Sequence, residues 1–414
     1  MKHYVIIGGG VAALHCIEGI RSLDREGPVT LLCAEEESNY GRPLISYYLQ
    51  GKTDRARMTY RDGDFYEKNG VTARHGVTAE AIDPEAGIVT LEGGEAISYD
   101  ELCVAAGSSP FVPPFEGLDT VERRFTFMTL VDARALEAAV TPGSRVLIVG
   151  GGLIGLKCAE GLHGRAGSVA VCDLASHVLS SILQEDSALV VEKHLKEQGL
   201  ELMLGDSVRV FQGNHAVMLS GAELDFDVLV LAIGVRPNST LVRDAGGETA
   251  RGIVTGPDMR TSLPHVWAAG DCAESVNSVS GGHGVLAILP NAAVQGRVAG
   301  ENMAGGSARY EGGFPMNSMG LFGLHLMTAG SYYGPEDGGA AYEEPGEGHK
   351  KLFTRDGVLT GFILIGDVHR AGIYTALIRD RTKLDTLDFD AVRRDPSLLP
   401  FGRAYRAKKL GGMV

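Results

Sequence analysis

Cysteine is sparse and never closely paired. The six cysteines, Cys16, Cys33, Cys103, Cys158, Cys172 and Cys272, are at least fourteen residues apart, which excludes a CxxC metal ligand pair or a CxxC redox pair. Reduced thiols are expected, and four of them fall in expected strands or helices, where a buried Cys acts as a small hydrophobe. A long apolar run is missing too. MKHYVIIGGG enters a strand at once, and no signal-like segment or bilayer-spanning stretch follows, so a cytoplasmic protein without a membrane partner is expected. Excess positive charge is also lacking. A net charge of -14 argues against nucleic acid as the partner, since that surface selects a basic face. Histidines such as His3, His15 and His283 have no ligand spacing, so no metal site is expected.

What remains is the composition of several packed cores. The 414 residues are 44% hydrophobic and 22% charged, enough for two or three domains. The 57 glycines follow no GXY period, which assigns them to tight turns and close backbone approaches. Charge is uneven: residues 350–414 carry thirteen Lys and Arg against seven Asp, a balance of +6 that leaves -20 for the first 349 residues.

Two glycine fingerprints organise the chain. In HYVIIGGGVAALHCIEGIRSL an apolar strand is followed by Gly8, Gly10 and Ala13 in GxGxxA spacing, then a helix, then a second strand ending at Glu35. Gly8 allows the tight turn, Gly10 lets the backbone approach a pyrophosphate at the helix N-terminus, and Ala13 permits close helix packing. Glu35 is placed for ribose hydroxyls. The pattern recurs in SRVLIVGGGLIGLKCAEGL, with Gly150, Gly152 and Gly155, and the strand SVAVCD ends at Asp173. An acid there suits a free 2'-hydroxyl, and LASHVLSS after it offers no Arg for a 2'-phosphate, so NADH is expected over NADPH. His177 is read as a surface residue without a role.

Two dinucleotide fingerprints in one chain suggest a flavin working with a nicotinamide. LCVAAGSSPFVPP, with Ala106 and Gly107, and LVLAIGVRPN, with Gly234, are matching strand-to-turn sequences, each closing one unit. TSLPHVWAAGDCA gives a strand running into Gly270 and Asp271.

With these motifs the chain resembles, over essentially its whole length, the FAD- and NAD(P)H-dependent pyridine nucleotide-disulfide oxidoreductase superfamily. The resemblance implies an α/β fold with two Rossmann-like dinucleotide-binding domains, one inserted in the other, plus a small C-terminal α+β domain. The limits expected are 1–112 and 237–312 for FAD, 113–236 for NAD and 313–414 for the C-terminal domain. By the same resemblance Gly8, Gly10, Ala13, Glu35 and Asp271 would hold FAD, and Gly150, Gly152, Gly155 and Asp173 would hold NAD. LPNAAVQGRVAGENMAG would open a helix at Pro290 and Asn291 whose N-terminus faces the flavin and stabilises its reduced form.

Members that reduce disulfides carry a catalytic Cys after the first acid. Here that segment, Asn39 to Lys52, contains none, so disulfide and Cys-dependent peroxide chemistry are not expected. YGRPLIS instead resembles the YxRPxLS run of the rubredoxin, ferredoxin and nitrite reductase branch, with Tyr40, Arg42, Pro43 and Ser46 in place. In that branch Arg42 and Pro43 would lie along the FAD, Arg42 as a fixed cation near phosphate or adenine. Many members follow this Ser with a Lys near the flavin; this chain has Tyr47 there, and Lys52 lies further along. Glu160 matches an acid that relatives place near nicotinamide and flavin, which makes it the candidate catalytic side chain; a solvated helix Glu is the alternative.

From about residue 315 strand candidates alternate, KKLFTRDGVLTGFILIGD among them with Asp356-Gly357 as a hairpin turn, followed by the helix RAGIYTALIRDR. The tail adds Arg393, Arg394, Arg403, Arg406, Lys408 and Lys409. Rubredoxins and ferredoxins are generally acidic, so this patch either steers such a partner or is a solvated tail. The implied activity is transfer of a hydride from NADH to FAD and then of electrons to a small iron-sulfur protein acceptor, or in reverse from such a donor. An oxygen-reducing NADH oxidase, an NADH-linked electron-input subunit and a redox-sensing module stay open, as do monomer and homodimer.

Overall fold

In the computed structural model, residues 1–344, 348–403 and 406–407 are described. The first apolar run forms the strand Tyr4–Ile7, buried along its whole length, and turns through Gly8–Gly10 into the helix Val11–Leu23. Such a continuous run suits a strand covered on both faces. Its neighbours are Val29–Cys33 and Val71–His75 on one side and Glu101–Val104 and Val266–Ala268 on the other, all parallel. One sheet therefore takes strands from both sides of the intervening chain. Helices Val11–Leu23 and Leu289–Met303 cover one face and cross closely because their contact is glycine. A Cβ on Gly296 would lie 2.1 Å from the Ala12 carbonyl oxygen and one on Gly300 2.0 Å from that of Cys16.

The second sheet repeats the plan. Strands Glu201–Leu204, Ser168–Asp173, Arg145–Val149, Val228–Leu231 and Arg124–Phe125 are parallel in that order, packed with helices Leu130–Ala139, Leu153–Leu162 and Glu185–Glu197. Thr129 starts the first of these helices with a reciprocal side-chain cap to Asp132, satisfying donors that a helix leaves open. The chain passes between the two units along a short antiparallel pair, Ser108–Pro110 with Val235–Pro237. These are the two doubly wound, Rossmann-like units of an α/β fold.

The third sheet is antiparallel, in the order Met316–Leu321, Leu324–Gly330, Val358–Ile365, His349–Arg355, Ala340–Glu344. Asp356 and Gly357 form the expected turn, with φ of +53° and +72° and Arg355 paired to Val358. The helix Ala371–Arg379 packs on this sheet through Tyr374, Leu377 and Ile378. Among the described residues no helix is long and apolar enough to cross a membrane.

Candidate functional site

The turn after each first strand is built alike. Gly8 has φ of +114°, and a Cβ there would lie 2.2 Å from the Ala105 carbonyl oxygen; Gly150 has φ of +121°, with the Ala232 oxygen at 2.3 Å. Only glycine fits both the left-handed conformation and the approach. A Cβ on Gly10 or on Gly152 would meet no heavy atom within 4 Å. Both glycines are the residue before a helix, in ordinary extended conformation, so their missing side chains leave open space at a positive helix end.

In the first unit this space belongs to a cavity of about 350 Å³. Its wall brings together Gly8, Gly10, Glu35, Arg42, Ala106, Gly107, Gly270 and Asp271. Glu35 stands just after the strand Val29–Cys33 and accepts hydrogen bonds from Tyr40 Oη and Arg42 Nη2, each at 2.6 Å. Arg42 Nη1 donates to the Met128 carbonyl oxygen at 3.0 Å, and the Leu130 N–H donates to Tyr40 Oη at 3.3 Å. Burial opposes the charge of Arg42, yet Tyr40 and Glu35 hold its pKa above the usual value. At Asp271 burial pushes the carboxyl up while Arg42 pulls it down.

Sequence reasoning placed Arg42 against phosphate or adenine. In the structure its part-buried guanidinium stands at the cavity wall and is held by Glu35 and the Met128 carbonyl, a carboxylate and a carbonyl that meet two of its donors. Pro43 is exposed and off the cavity wall, and Ala13 lies beneath it in the helix packing. Asn291 is buried and faces inward, donating to the Leu286 oxygen at 2.9 Å and accepting from Tyr310 Oη. It shapes the loop before the helix, while Leu289 and Ala292 reach the wall and Pro290 is exposed.

Other wall residues were not read from the sequence as site residues. Ser108 lines the cavity, and its Oγ is buried without a hydrogen-bond partner among the described residues. Asn238 Nδ2 donates to the Ala106 oxygen at 2.9 Å and so sets the turn that Gly107 completes. Asn238 ends the segment LVLAIGVRPN, and the match of that segment to LCVAAGSSPF is the sequence signal for it. Ser38 Oγ is 2.7 Å from both Tyr66 Oη and His75 Nε2. An open cradle, an unpartnered hydroxyl and carboxylates at Glu35 and Asp271 fit a long ligand with hydroxyls and a pyrophosphate, which FAD is.

In the second unit Asp173 Oδ2 accepts the Gly151 N–H at 2.6 Å and Oδ1 the Ala175 N–H at 2.8 Å. Each oxygen keeps a lone pair for a ribose hydroxyl. Gly155 is needed because its Cβ would sit 1.9 Å from the Gly150 oxygen. Gly234, with φ of +128°, makes the turn after strand Val228–Leu231. His177 is half-buried against Ser176 and the Leu183 oxygen. This open cradle with its acid fits NADH.

Glu160 is absent from the cavity wall. It is 8% exposed, pairs with Lys157 through Oε2 and accepts the Phe322 N–H at 2.8 Å through Oε1. The solvated alternative is excluded by that burial. Of the basic tail, Arg393 is paired to Glu344 at 2.8 Å and Asp390 at 2.7 Å and lies over the Tyr342 ring, and Arg394 Nε donates to the Asp390 oxygen. Arg403 is exposed, and Lys408 and Lys409 lie outside the described residues.

Comparison with known proteins agrees with this architecture. The chain is 32% identical to the "NADH-dependent phenylglyoxylate dehydrogenase subunit epsilon" of Aromatoleum evansii, over 93% of each chain. It is 31% identical to the "Rubredoxin-NAD(+) reductase" of Alcanivorax borkumensis, covering 89% of this chain and 96% of that one. The fold matches a structure of the covalent putidaredoxin reductase-putidaredoxin complex with a TM-score of 0.87, at 22% identity over 100% of this chain and 99% of the other. The pyridine nucleotide-disulphide oxidoreductase family model matches residues 2–296, the stretch that holds both glycine cradles, and the chain belongs to that family.

Proposed function

We propose that this protein is an NADH-dependent flavoenzyme that exchanges electrons with a small acidic iron-sulfur protein of the rubredoxin or ferredoxin type. The observation that carries the reading is the pair of matching open glycine cradles, each with an acid at or just after the end of its second strand, in units linked by the pair Ser108–Pro110 with Val235–Pro237. Bound FAD would supply the conversion between a two-electron hydride and single electrons. The chain's own residues bind and orient. Glu35 offers its remaining lone pairs to ribose hydroxyls, Gly10 and Ser108 leave room and a hydroxyl donor, and Asp173 selects the unphosphorylated ribose of NADH. No cysteine lies in residues 39–52, so no thiol relay is needed, and six buried unpaired cysteines suit a reducing, cytoplasmic setting.

Support for the acceptor comes from the relative named rubredoxin-NAD(+) reductase, alike over nearly its full length. The test is anaerobic reduction of the yellow protein with NADH, then rapid mixing with oxygen or with an acidic rubredoxin. Reoxidation at least tenfold faster by rubredoxin is expected. Faster reoxidation by oxygen would replace this reading with an oxidase.

The relative from Aromatoleum evansii favours a second reading, an NADH-linked subunit of a larger complex, because its name is that of a subunit and the likeness spans 93% of both chains. Isolation from native cells by size would then give an assembly well above one or two chains.

A further inference from the structure

Two elements run from the two cradles and meet at their flanks. Residues 42–49 begin in the first cavity at Arg42, and the helix Leu153–Leu162 begins at Gly152 of the second cradle. They approach closely where Gly161 faces Leu49, since a Cβ on Gly161 would lie 3.0 Å from that side chain. On the same contact the Lys157 ammonium stands 4.6 Å from the centre of the Tyr47 ring.

That ammonium is held on three sides. Besides the ring it pairs with Glu160 and donates to the Gly320 carbonyl oxygen at 3.1 Å. Glu160 in turn takes the Phe322 N–H. Phe322 forms the tip between strands Met316–Leu321 and Leu324–Gly330, with φ of +50°, its ring against His163 and its carbonyl 3.1 Å from His194 Nε2. Lys157 and Glu160 side chains are only 17% and 8% exposed. A cation so far out of water persists only where its donors are met, and removing one partner leaves the others uncompensated. A cation over an aromatic face is itself attracted. One side chain thus ties together three segments distant in sequence: residues 42–49 beside the first cradle, the helix of the second cradle, and the C-terminal hairpin.

We propose that Lys157 is a positioning residue for transfer between the two dinucleotides, a pin that holds the second cradle at fixed distance from the first. The proposal rests on the reading that NADH reduces a flavin here. Misplacement by about 1 Å costs such a reaction on the order of a hundredfold while leaving binding groups in place. Loss of the pin therefore lowers the rate at saturation and spares affinity.

The test compares wild type, Lys157→Met, Lys157→Arg and Tyr47→Leu. Anaerobic mixing with NADH yields the saturating rate of flavin reduction and the apparent dissociation constant for NADH. Hydrogen exchange on the flavin-loaded proteins, without NADH, reports protection of the peptide containing Phe322. Lys157→Met and Tyr47→Leu are expected to lower the saturating rate about tenfold or more with NADH affinity within about twofold. Phe322 exchange rises about tenfold in Lys157→Met, and Lys157→Arg retains most of the rate. A wild-type rate in Lys157→Met, a loss confined to affinity, or unchanged Phe322 protection would each overturn the proposal. If Lys157→Met fails to fold, Tyr47→Leu decides alone, since it removes only the ring face. If NADH does not reduce the wild-type flavin, the proposed function fails instead, and hydrogen exchange still decides whether Lys157 pins the hairpin.

Discussion

Arg42 Nη2 lies 2.6 Å from Glu35 Oε1, so a cation of the first unit is locked to the acid that follows its second strand. Arg42 also holds the Met128 carbonyl of the second unit. Arg42→Ala leaves Glu35 without its main counter-charge at the cavity wall, and Arg42→Lys keeps the charge without the two-pronged reach. The flavin content of purified Arg42→Ala is expected to fall, with FAD binding weakened about tenfold or more, and Arg42→Lys to lie between it and wild type. Flavin absorbance per protein and titration of FAD into the stripped protein measure this.

Gly152 and Gly155 sit three residues apart and are expected to fail differently. A Cβ at 152 enters open space at φ of -81°, so Gly152→Ala keeps the fold and weakens NADH binding about tenfold by occupying the cradle. A Cβ at 155 falls 1.9 Å from the Gly150 oxygen, so Gly155→Ala is destabilised by about 2 kcal/mol or more. Thermal melting separates the two. A native melt for Gly155→Ala would show that the turn relaxes more freely than its backbone contact implies.

Asp173 accepts two backbone hydrogen bonds and faces the second cradle. Asp173→Ala removes the acceptor for ribose hydroxyls and the negative charge that repels a 2'-phosphate. The ratio of kcat/KM for NADPH to that for NADH is expected to rise about tenfold, mostly by loss of NADH efficiency. An unchanged ratio would move nucleotide selection elsewhere.

All six cysteines are buried and unpaired. Burial pushes Cys158 well above the usual thiol range and carries Cys172 and Cys272 up to about 12. Since the thiolate is the reactive form, iodoacetamide at pH 8 is expected to leave NADH-dependent flavin reduction unchanged, whereas the denatured chain takes up six equivalents. Rapid inactivation of the native protein would reveal a working thiol.

Burial depresses the pKa of His349 below the ordinary 6.5, only partly offset by Asp186, and its Nε2 lies 2.8 Å from Ser187 Oγ across the seam. The unfolded chain then binds more protons between the folded-state pKa and 6.5, so the contribution is present above 6.5 and lost as pH falls through the depressed value. The carboxylate of Asp186, which partial desolvation raises and the hydrogen bond from Lys351 lowers further, sits below the usual carboxylate range and stays ionised over this window. Urea midpoints should drop from pH 7.5 to pH 5.5, and less so in His349→Gln. His15, also depressed by burial, accounts for part of the drop that remains.

Several features were legible because they are local. The tip at Asp356-Gly357 needs two residues with positive φ, and the Asp-Gly pair declares it. The helix Leu289–Met303 begins where Pro290 opens it, since a first-turn proline loses no hydrogen bond. Arg42 was legible as a conspicuous cation but not in its contacts, since the Met128 carbonyl, 86 residues away, reaches it only after the two units dock. Glu160 was singled out by position, yet its burial follows from a hairpin more than 150 residues away. Nothing in a helix period announces such a partner.

By itself the sequence determined the two strand, glycine turn and helix units and the acids that follow them. In those units each turn, strand and helix start is specified within about thirty residues, by φ, by the apolar period and by backbone approach. The tertiary structure decided which charges meet. It turned Arg42 onto Glu35, closed Ser108 and Asn238 into the cavity wall, and set Lys157 between Tyr47, Glu160 and the Phe322 hairpin. The reason is physical: a buried polar group takes whichever partner the docking of whole sheets brings within 3 Å or so, and that distance belongs to no single stretch of chain.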